Sequence, residues 1–145
     1  MKKILTILLL ISILLISSCS DQKLTFETIH IKNSKGHEEK ENYVIKNSLE
    51  WNNLLDVVSP LRLYINPDLP DINFEEEMVI AVFQGSQPSS GYSIEITKII
   101  EKDNSIEIIV KEKSAPKNQL VLTMVTEPYH IVKVKKSDKE VVFKS

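Results

Sequence analysis

The most regular pattern in this chain is an alternation of hydrophobic and polar residues that recurs through its second half. A period of two is typical of β-strands with one buried face, because successive side chains of a strand point to opposite sides. One polar face per strand also favours antiparallel pairing, since parallel strands are usually covered on both faces. The pattern predicts strands at Tyr92–Thr97, Ile106–Lys111, Leu120–Met124, His130–Val134 and Val141–Phe143.

Three further strands are predicted earlier in the chain. Met78–Phe83 is hydrophobic without a break, which is typical of a strand buried on both faces or placed at the centre of a sheet. Leu24–Ile31 is rich in β-forming residues, and Tyr43–Lys46 is a second, short extended segment. The polar run Asn33–Asn42 lies between them and is predicted to be a solvated loop or hairpin end.

One helix is predicted to follow Lys46. Asn47 can cap its first turn, and Glu50 three residues later completes the spacing of a capping box. Pro60 ends the pattern, and Trp51 is expected to be a core residue, not an exposed ligand platform. The residues that share the apolar face are Trp51, Leu54, Leu55 and Val58. The complete pattern predicts an α+β fold, a mainly antiparallel β-sheet or small sandwich with one packed helix.

The N-terminal segment has a separate character. Two lysines precede an apolar run at residues 4–16, whose thirteen positions are fewer than the roughly 17–25 that a membrane span needs. A charged start, a short apolar centre and a small-residue end mark an export signal. The ending Ile-Ser-Ser-Cys19 resembles the bacterial lipobox, in which the cysteine is lipidated and becomes the new N-terminus. A conventional secretory signal is the alternative.

The lipobox reading predicts three parts for the chain. Residues 1–18 are the signal peptide, residues 19–23 the lipidated N-terminus and tether, and residues 24–145 a single domain. Cys19 is the only cysteine, which excludes an internal disulfide. Two or more acyl chains hold a protein firmly, because each buried methylene contributes about 0.8 kcal/mol. We therefore expect a membrane-anchored lipoprotein of the cell envelope, on the extracytoplasmic side.

The charge and the histidines limit the chemistry. After removal of residues 1–18 the chain has 16 basic and 20 acidic residues. The net negative charge disfavours nucleic acid as a partner. His30, His37 and His130 are far apart in sequence and no pair has metal-ligand spacing, so neither a metal nor another cofactor is predicted. No Gly-x-Ser-x-Gly motif is present, and a noncatalytic protein is expected. The enzymatic alternative uses His130 as base with a nearby serine or acid.

One loop combines unusual backbone freedom with hydrogen-bonding groups. Gly85 and Gly91 flank it, and Pro88 restricts its tip, which indicates a defined shape. Ser86, Gln87, Ser89 and Ser90 provide polar groups there. A plain hairpin connection is the other interpretation of the same residues.

Four segments resemble the C-terminal domain of the protease complex subunit PrcB family: Met78–Gly85, Pro88–Ile96, Lys113–Pro116 and Glu127–Val134. In that family an apolar strand ends in glycine, a Pro-Thr-Gly-Gly-Tyr-like turn opens an alternating strand, and a Pro-Tyr pair opens a valine-rich strand. The helix around Trp51 and the approach Asp71–Phe74 also fit, so the resemblance covers about residues 47–143. Ser89 and Ser90 stand where the family has Thr-Gly.

The resemblance implies a noncatalytic accessory lipoprotein that assembles or stabilises a surface protease complex. It implies a protein partner in the envelope or at the surface, a protease among the candidates, in addition to the membrane contact through Cys19. The candidate protein-binding residues are Gly85, Gln87, Pro88, Ser89, Ser90, Gly91, Tyr92, Pro128 and Tyr129.

A weaker resemblance suggests loop-mediated protease inhibition as the alternative function. Residues 88–92 are similar to the Asn-Pro-Thr-Thr-Gly-Tyr loop of chagasin-like cysteine protease inhibitors, and residues 127–129 to their Arg-Pro-aromatic loop. Gln87 replaces the asparagine, Glu127 replaces the arginine, and a Gly-x-Gly-Gly loop is missing. Such inhibitors insert loops from one end of a β-sandwich into the protease cleft, so both loops must leave the same end of the domain.

Overall fold

The computed structural model describes residues 21–32, 36–58, 70–118 and 120–145. The predicted signal peptide, Cys19 and Pro60 lie outside these ranges. The elements are β1 (Gln22–Leu24), β2 (Phe26–Lys32), β3 (Asn42–Ile45), α1 (Ser48–Val58), β4 (Glu77–Phe83), β5 (Ser93–Glu101), β6 (Ser105–Lys113), β7 (Tyr129–Lys135) and β8 (Glu140–Lys144). None of the helices in the described ranges has the length and hydrophobicity needed to cross a bilayer.

The strands form two four-stranded sheets. We call the sheet with the order β1-β5-β6-β8 the outer sheet, and the sheet with the order β2-β7-β4-β3 the inner sheet. The pairs are antiparallel except for β6 and β8, which run parallel. The predicted α+β fold with mainly antiparallel strands and one helix is confirmed. The parallel pair arises because the chain crosses to β7 in the inner sheet before it returns to the outer one.

The inner sheet is covered on both faces. Met78, Ile80 and Val82 of β4 pack towards the outer sheet, whereas the alternate residues Val79, Ala81 and Phe83 pack towards α1. All six have no exposed surface, which confirms the prediction of a strand buried on both faces. Burial of a large apolar side chain contributes about 1.5–3 kcal/mol, so this strand holds three layers together.

The helix begins where the capping pattern predicts. The Glu50 amide donates to Asn47 Oδ1 over 2.9 Å, and Glu50 Oε2 accepts from the Lys46 amide over 2.9 Å. The carboxylate thus reaches one residue further back than in the standard capping box. Trp51 and Leu54 are buried against the inner sheet, so the expected core position of Trp51 is confirmed.

The N-terminal boundary of the domain differs from the prediction. Gln22 and Lys23, assigned to the tether, lie in β1 and pair with Glu101 and Ile100 of β5. Backbone pairing at a sheet edge does not require apolar side chains, which is why the polar residues concealed this strand.

A bulge in β5 keeps its apolar residues in the core. The pairing of β5 with β6 shifts between Ile96 and Lys98. As a result Ile94, Ile96 and Ile99 are all buried, although the last spacing is three instead of two. An extra residue in one strand moves all later side chains to the opposite face of the sheet. Here the bulge places Ile99 on the same buried face as Ile94 and Ile96.

His130 connects the two sheets. Its Nδ1 accepts from the Ile96 amide of β5 over 2.9 Å, and therefore Nε2 carries the proton and donates to Thr28 Oγ1 of β2 over 2.9 Å. The side chain is 2% exposed. Burial lowers the pKa of His130 below its ordinary value, against a smaller opposing effect of the Glu95 charge. His130 is therefore a buried strand histidine with both ring nitrogens hydrogen-bonded.

The neutral state of His130 predicts a pH-dependent stability. Because the folded-state pKa lies below the unfolded value of about 6.5, the unfolded chain binds the proton first as the pH falls. The free energy of unfolding should therefore decrease between about pH 7.5 and 5.5, and His130→Gln should remove this decrease while lowering stability at pH 7.5 by about 1–3 kcal/mol. Urea denaturation at several pH values measures both effects. His37→Gln is the matched control and should keep the decrease; an equal decrease in His130→Gln contradicts the assignment.

Candidate protein-binding site

Two loops leave the domain side by side. β4 and β7 are antiparallel, and their pairing ends at Phe83 and Tyr129. The segment after β4 and the segment before β7 must therefore emerge at the same end, which we call the loop end. The Gln84 amide continues the ladder into the loops by donating to the Pro128 carbonyl over 2.9 Å.

Backbone and hydroxyl groups fasten these loops to each other. Gln87 and Thr126 exchange two backbone hydrogen bonds of 2.7 and 3.0 Å, and Thr126 Oγ1 donates to the Ser89 carbonyl over 2.9 Å. The Ser90 amide donates to the Leu122 carbonyl over 3.0 Å, while Ser90 Oγ accepts from the Leu122 amide over 2.9 Å. We call these five hydrogen bonds the loop latch. It gives residues 86–90 and 122–126 a fixed mutual position.

The polar segment 36–40 forms hydrogen bonds with both latched loops and supports them. The Ser86 amide donates to the Glu38 carbonyl over 2.8 Å, and Glu127 Oε2 accepts from the Gly36 amide over 3.0 Å. A Cβ on Gly36 would lie 2.6 Å from the Glu127 carbonyl oxygen, so only glycine permits this approach. The polar run predicted as a solvated loop is exposed at Glu38–Lys40, yet its backbone holds the candidate site in place.

The glycines at the two ends of the first loop adopt the conformation that the sequence indicates. Gly85 has φ +78° and Gly91 has φ +94°, in the region that disfavours other residues. Between them, Ser86 and Pro88 are exposed, and Ser90 is partly buried by the latch. The predicted shaped loop is therefore present, and Ser90 contributes its hydroxyl where the resembling family has glycine.

Three of the predicted binding residues are not at the surface. Gly85, Pro128 and Tyr129 are buried, so their prediction as contact residues is corrected to a positioning role. Tyr129 begins β7, and its side chain points to the helix face of the inner sheet because it is paired with Phe83. The remaining predicted residues are exposed or partly exposed: Gln87, Pro88, Ser89, Ser90, Gly91 and Tyr92.

Tyr129 belongs to a stack of rings. Its ring lies 5.4 Å from that of His30 and 5.5 Å from that of Phe83, and its hydroxyl forms a 2.7 Å hydrogen bond with His30 Nδ1. Burial raises the pKa of Tyr129 to about 12. The inhibitor-like interpretation needs residues 88–92 and 127–129 at one end, and they are there, but Pro128 and Tyr129 offer no surface to a protease.

The strand predicted at Leu120–Met124 is wrong. Residues 120–125 form an irregular loop, and only Thr126 makes an isolated bridge, with Gln87. Leu122 uses its backbone groups for the latch with Ser90, and a further bond from the Met124 amide to the Leu122 carbonyl turns the chain. The alternation is present in the sequence, but neither of the two described sheets covers its apolar side chains.

This loop exposes four large hydrophobic side chains, and we call them the apolar patch. Their exposed fractions are 105% for Leu120, 69% for Leu122, 47% for Met124 and 63% for Val125. Neither the patch segment 120–125 nor the segment 86–92 contains a charged residue. The apolar patch is the part of the site that the sequence pattern concealed, because alternation shows that a face is apolar and not what covers it.

The described residues show no group of three or more histidine, cysteine, aspartate or glutamate side chains that could hold a metal ion. Both ring nitrogens of His130 are occupied by Thr28 and the Ile96 amide. The segments 86–92 and 120–125 present an uncharged, partly apolar surface on a backbone-supported frame.

The loop latch predicts a local effect of Thr126→Val. Valine keeps the shape of the 4% exposed side chain but removes the hydroxyl that donates to Ser89. We expect a loss of about 1 kcal/mol in the free energy of unfolding and faster amide exchange at residues 87–90. Thr123→Val, on the exposed side of the same loop, should change neither quantity. Hydrogen exchange with mass spectrometry and urea denaturation measure them, and equal effects of the two substitutions contradict the latch.

The strands and loops of this site coincide with one family. The family model described as PrcB C-terminal matches residues 78–135, which include β4–β7 and both latched loops. Among curated proteins and solved structures, no match to the chain is found. The resemblance to the PrcB C-terminal family that the sequence predicts is thus confirmed over residues 78–135.

Proposed function

We propose that this protein is a lipid-anchored, noncatalytic subunit that binds a protein partner at the cell envelope, as an accessory component of a protease complex. The observation that carries the proposal is the latched pair of loops, which lies inside the family segment and presents an uncharged, partly apolar surface. Loops positioned by a rigid scaffold are a common location of binding residues.

The anchor is supported by the N-terminal sequence and by the start of the fold. Cys19 follows the apolar run and precedes Asp21 by two residues, a separation of at most about 7 Å. Asp21 forms an ion pair with Lys102 over 3.3 Å, and β1 starts at the next residue. A lipidated Cys19 would therefore hold the domain close to the membrane with almost no tether.

The noncatalytic role is supported by the environment of His130, the one histidine considered as a base. Its Nδ1 accepts from a buried backbone amide and its Nε2 proton is directed at Thr28. Burial also lowers its pKa. A substrate would have to displace hydrogen bonds that join the two sheets, which makes this histidine a structural element.

The anchor is tested by labelling. Cells that express the full chain are grown with an alkyne analogue of palmitate, and the protein is purified through a C-terminal tag. We expect label on the unaltered chain and on Ser20→Ala, and none on Cys19→Ser, because only the thiol accepts the lipid. Label that persists in Cys19→Ser, or an unaltered chain without label, contradicts the proposed lipid attachment at Cys19.

The partner is tested by purification of the tagged, unaltered chain from its own membranes in a mild detergent. We expect a protease to be recovered in a fixed ratio to the chain and to elute with it in gel filtration. Cys19→Ser should reduce this recovery, since anchoring raises the local concentration of both proteins at one surface. Recovery of the chain alone, under conditions that preserve other membrane complexes, contradicts the proposed function.

A further inference from the structure

The apolar patch is exposed without serving the fold. Leu120 is fully exposed and Leu122 is 69% exposed, although the latch holds the backbone of this loop in place. The largest apolar patch on a typical monomer measures about 300–600 Å² and is often functional. A fixed backbone that presents leucine, methionine and valine to solvent is a preorganised contact surface, because little conformational entropy is lost on binding.

The membrane is poorly placed to cover this patch. Gln22 pairs with Glu101 at one end of β5, whereas the loop end precedes Ser93 at the other. The eight rises between the first and last of the nine strand residues separate the two ends by about 26 Å, at about 3.3 Å per rise. Because Cys19 is only two residues before Asp21, the proposed lipid would be held near the end that carries Asp21, opposite the apolar patch.

A second copy of the chain is also a poor complement. A groove of about 790 Å³ at the ends of β2, β4 and β7 is lined mainly by charged side chains that include Glu27, Glu75, Glu76 and Lys133. An uncharged loop would desolvate these charges without pairing them. Contact between two apolar patches is limited by area, since a stable dimer buries about 800 Å² on each partner and four side chains supply a few hundred.

We propose that the apolar patch inserts into an uncharged, apolar cleft of a folded protein partner that stands away from the membrane surface. This inference rests on the proposed function, namely that the protein acts through a protein partner. Leu120 and Leu122 expose most of their side chains, and a concave partner surface would cover more of that area than a flat one. Met124 would adapt to the walls of a cleft because its side chain is flexible. The uncharged residues 86–90 extend the contact on the neighbouring loop.

The test places a photo-crosslinking amino acid at single positions of the full, anchored chain in its own cells. Position 122 lies in the apolar patch, position 104 in the turn between β5 and β6 at the anchor end, and position 98 on the exposed face of β5. We expect position 122 to give one discrete adduct with a protein other than this chain. Positions 98 and 104 should give at least tenfold less of it.

A pair of leucine variants provides the matched control. Leu122→Asp should lower recovery of the crosslinked partner, captured from position 120, by at least about tenfold, since a carboxylate in an apolar cleft is left unpaired. Leu49→Asp changes an equally exposed leucine, 71% exposed on α1, and should leave recovery unchanged. Equal melting temperatures of both variants show that the fold is retained.

The inference is overturned by an adduct with lipid, by an adduct with a second copy of this chain, or by unchanged partner recovery in Leu122→Asp. A partner captured only from positions 98 or 104 also overturns it, while it leaves the proposed function intact. If neither the purification of the unaltered chain nor any of the three positions yields a protein partner, the proposed function fails, and the inference fails with it.

Discussion

The antiparallel pairing of β4 with β7 is the constraint on which the rest of the structure depends. These strands occupy the centre of the inner sheet and have core on both faces, one towards the outer sheet and one towards α1. Their pairing ends at Phe83 and Tyr129, so the chain after one strand and before the other is forced to the same end. The loop latch, the support from the polar segment beneath it and the exposed apolar patch all follow from this geometry. Binding surface and core are therefore linked through a few residues at the strand ends.

The sequence predicted what depends on local pattern. The unbroken apolar run Met78–Phe83 predicted its own burial on both faces, and Asn47 with Glu50 predicted the start of the helix. The glycines at 85 and 91 predicted a shaped loop. Features that depend on non-local pairing could not be predicted in this way. Alternation at Leu120–Met124 has the period of a strand, but none of the strands in the described ranges pairs with it. A Pro-Tyr pair in a loop pattern gives no sign that Tyr129 is buried in an aromatic stack.

The two ends of the domain differ, and this difference connects the fold with the proposed function. One end carries Asp21, the start of β1 and the turn after β5, and the proposed lipid lies two residues from it. The other end carries the latched loops and the apolar patch. His130 and its two hydrogen bonds connect the outer sheet, which contains the N-terminal strand β1, to the inner sheet, whose strands β4 and β7 lead into the loops. With the proposed lipid on Cys19, the domain would act as a spacer that holds the loop end at a set height above the membrane.

The distance of each end from the membrane tests this account most directly. The lipidated chain is reconstituted into liposomes with a fluorophore on a cysteine introduced at position 104 or 122, and energy transfer to acceptors in the lipid headgroups is measured. Strong transfer is expected from position 104 and weaker transfer from position 122, whose distance from the headgroups should be greater by about 26 Å, the length of a nine-residue strand. Equal distances for the two positions, or a shorter distance for position 122, would contradict it.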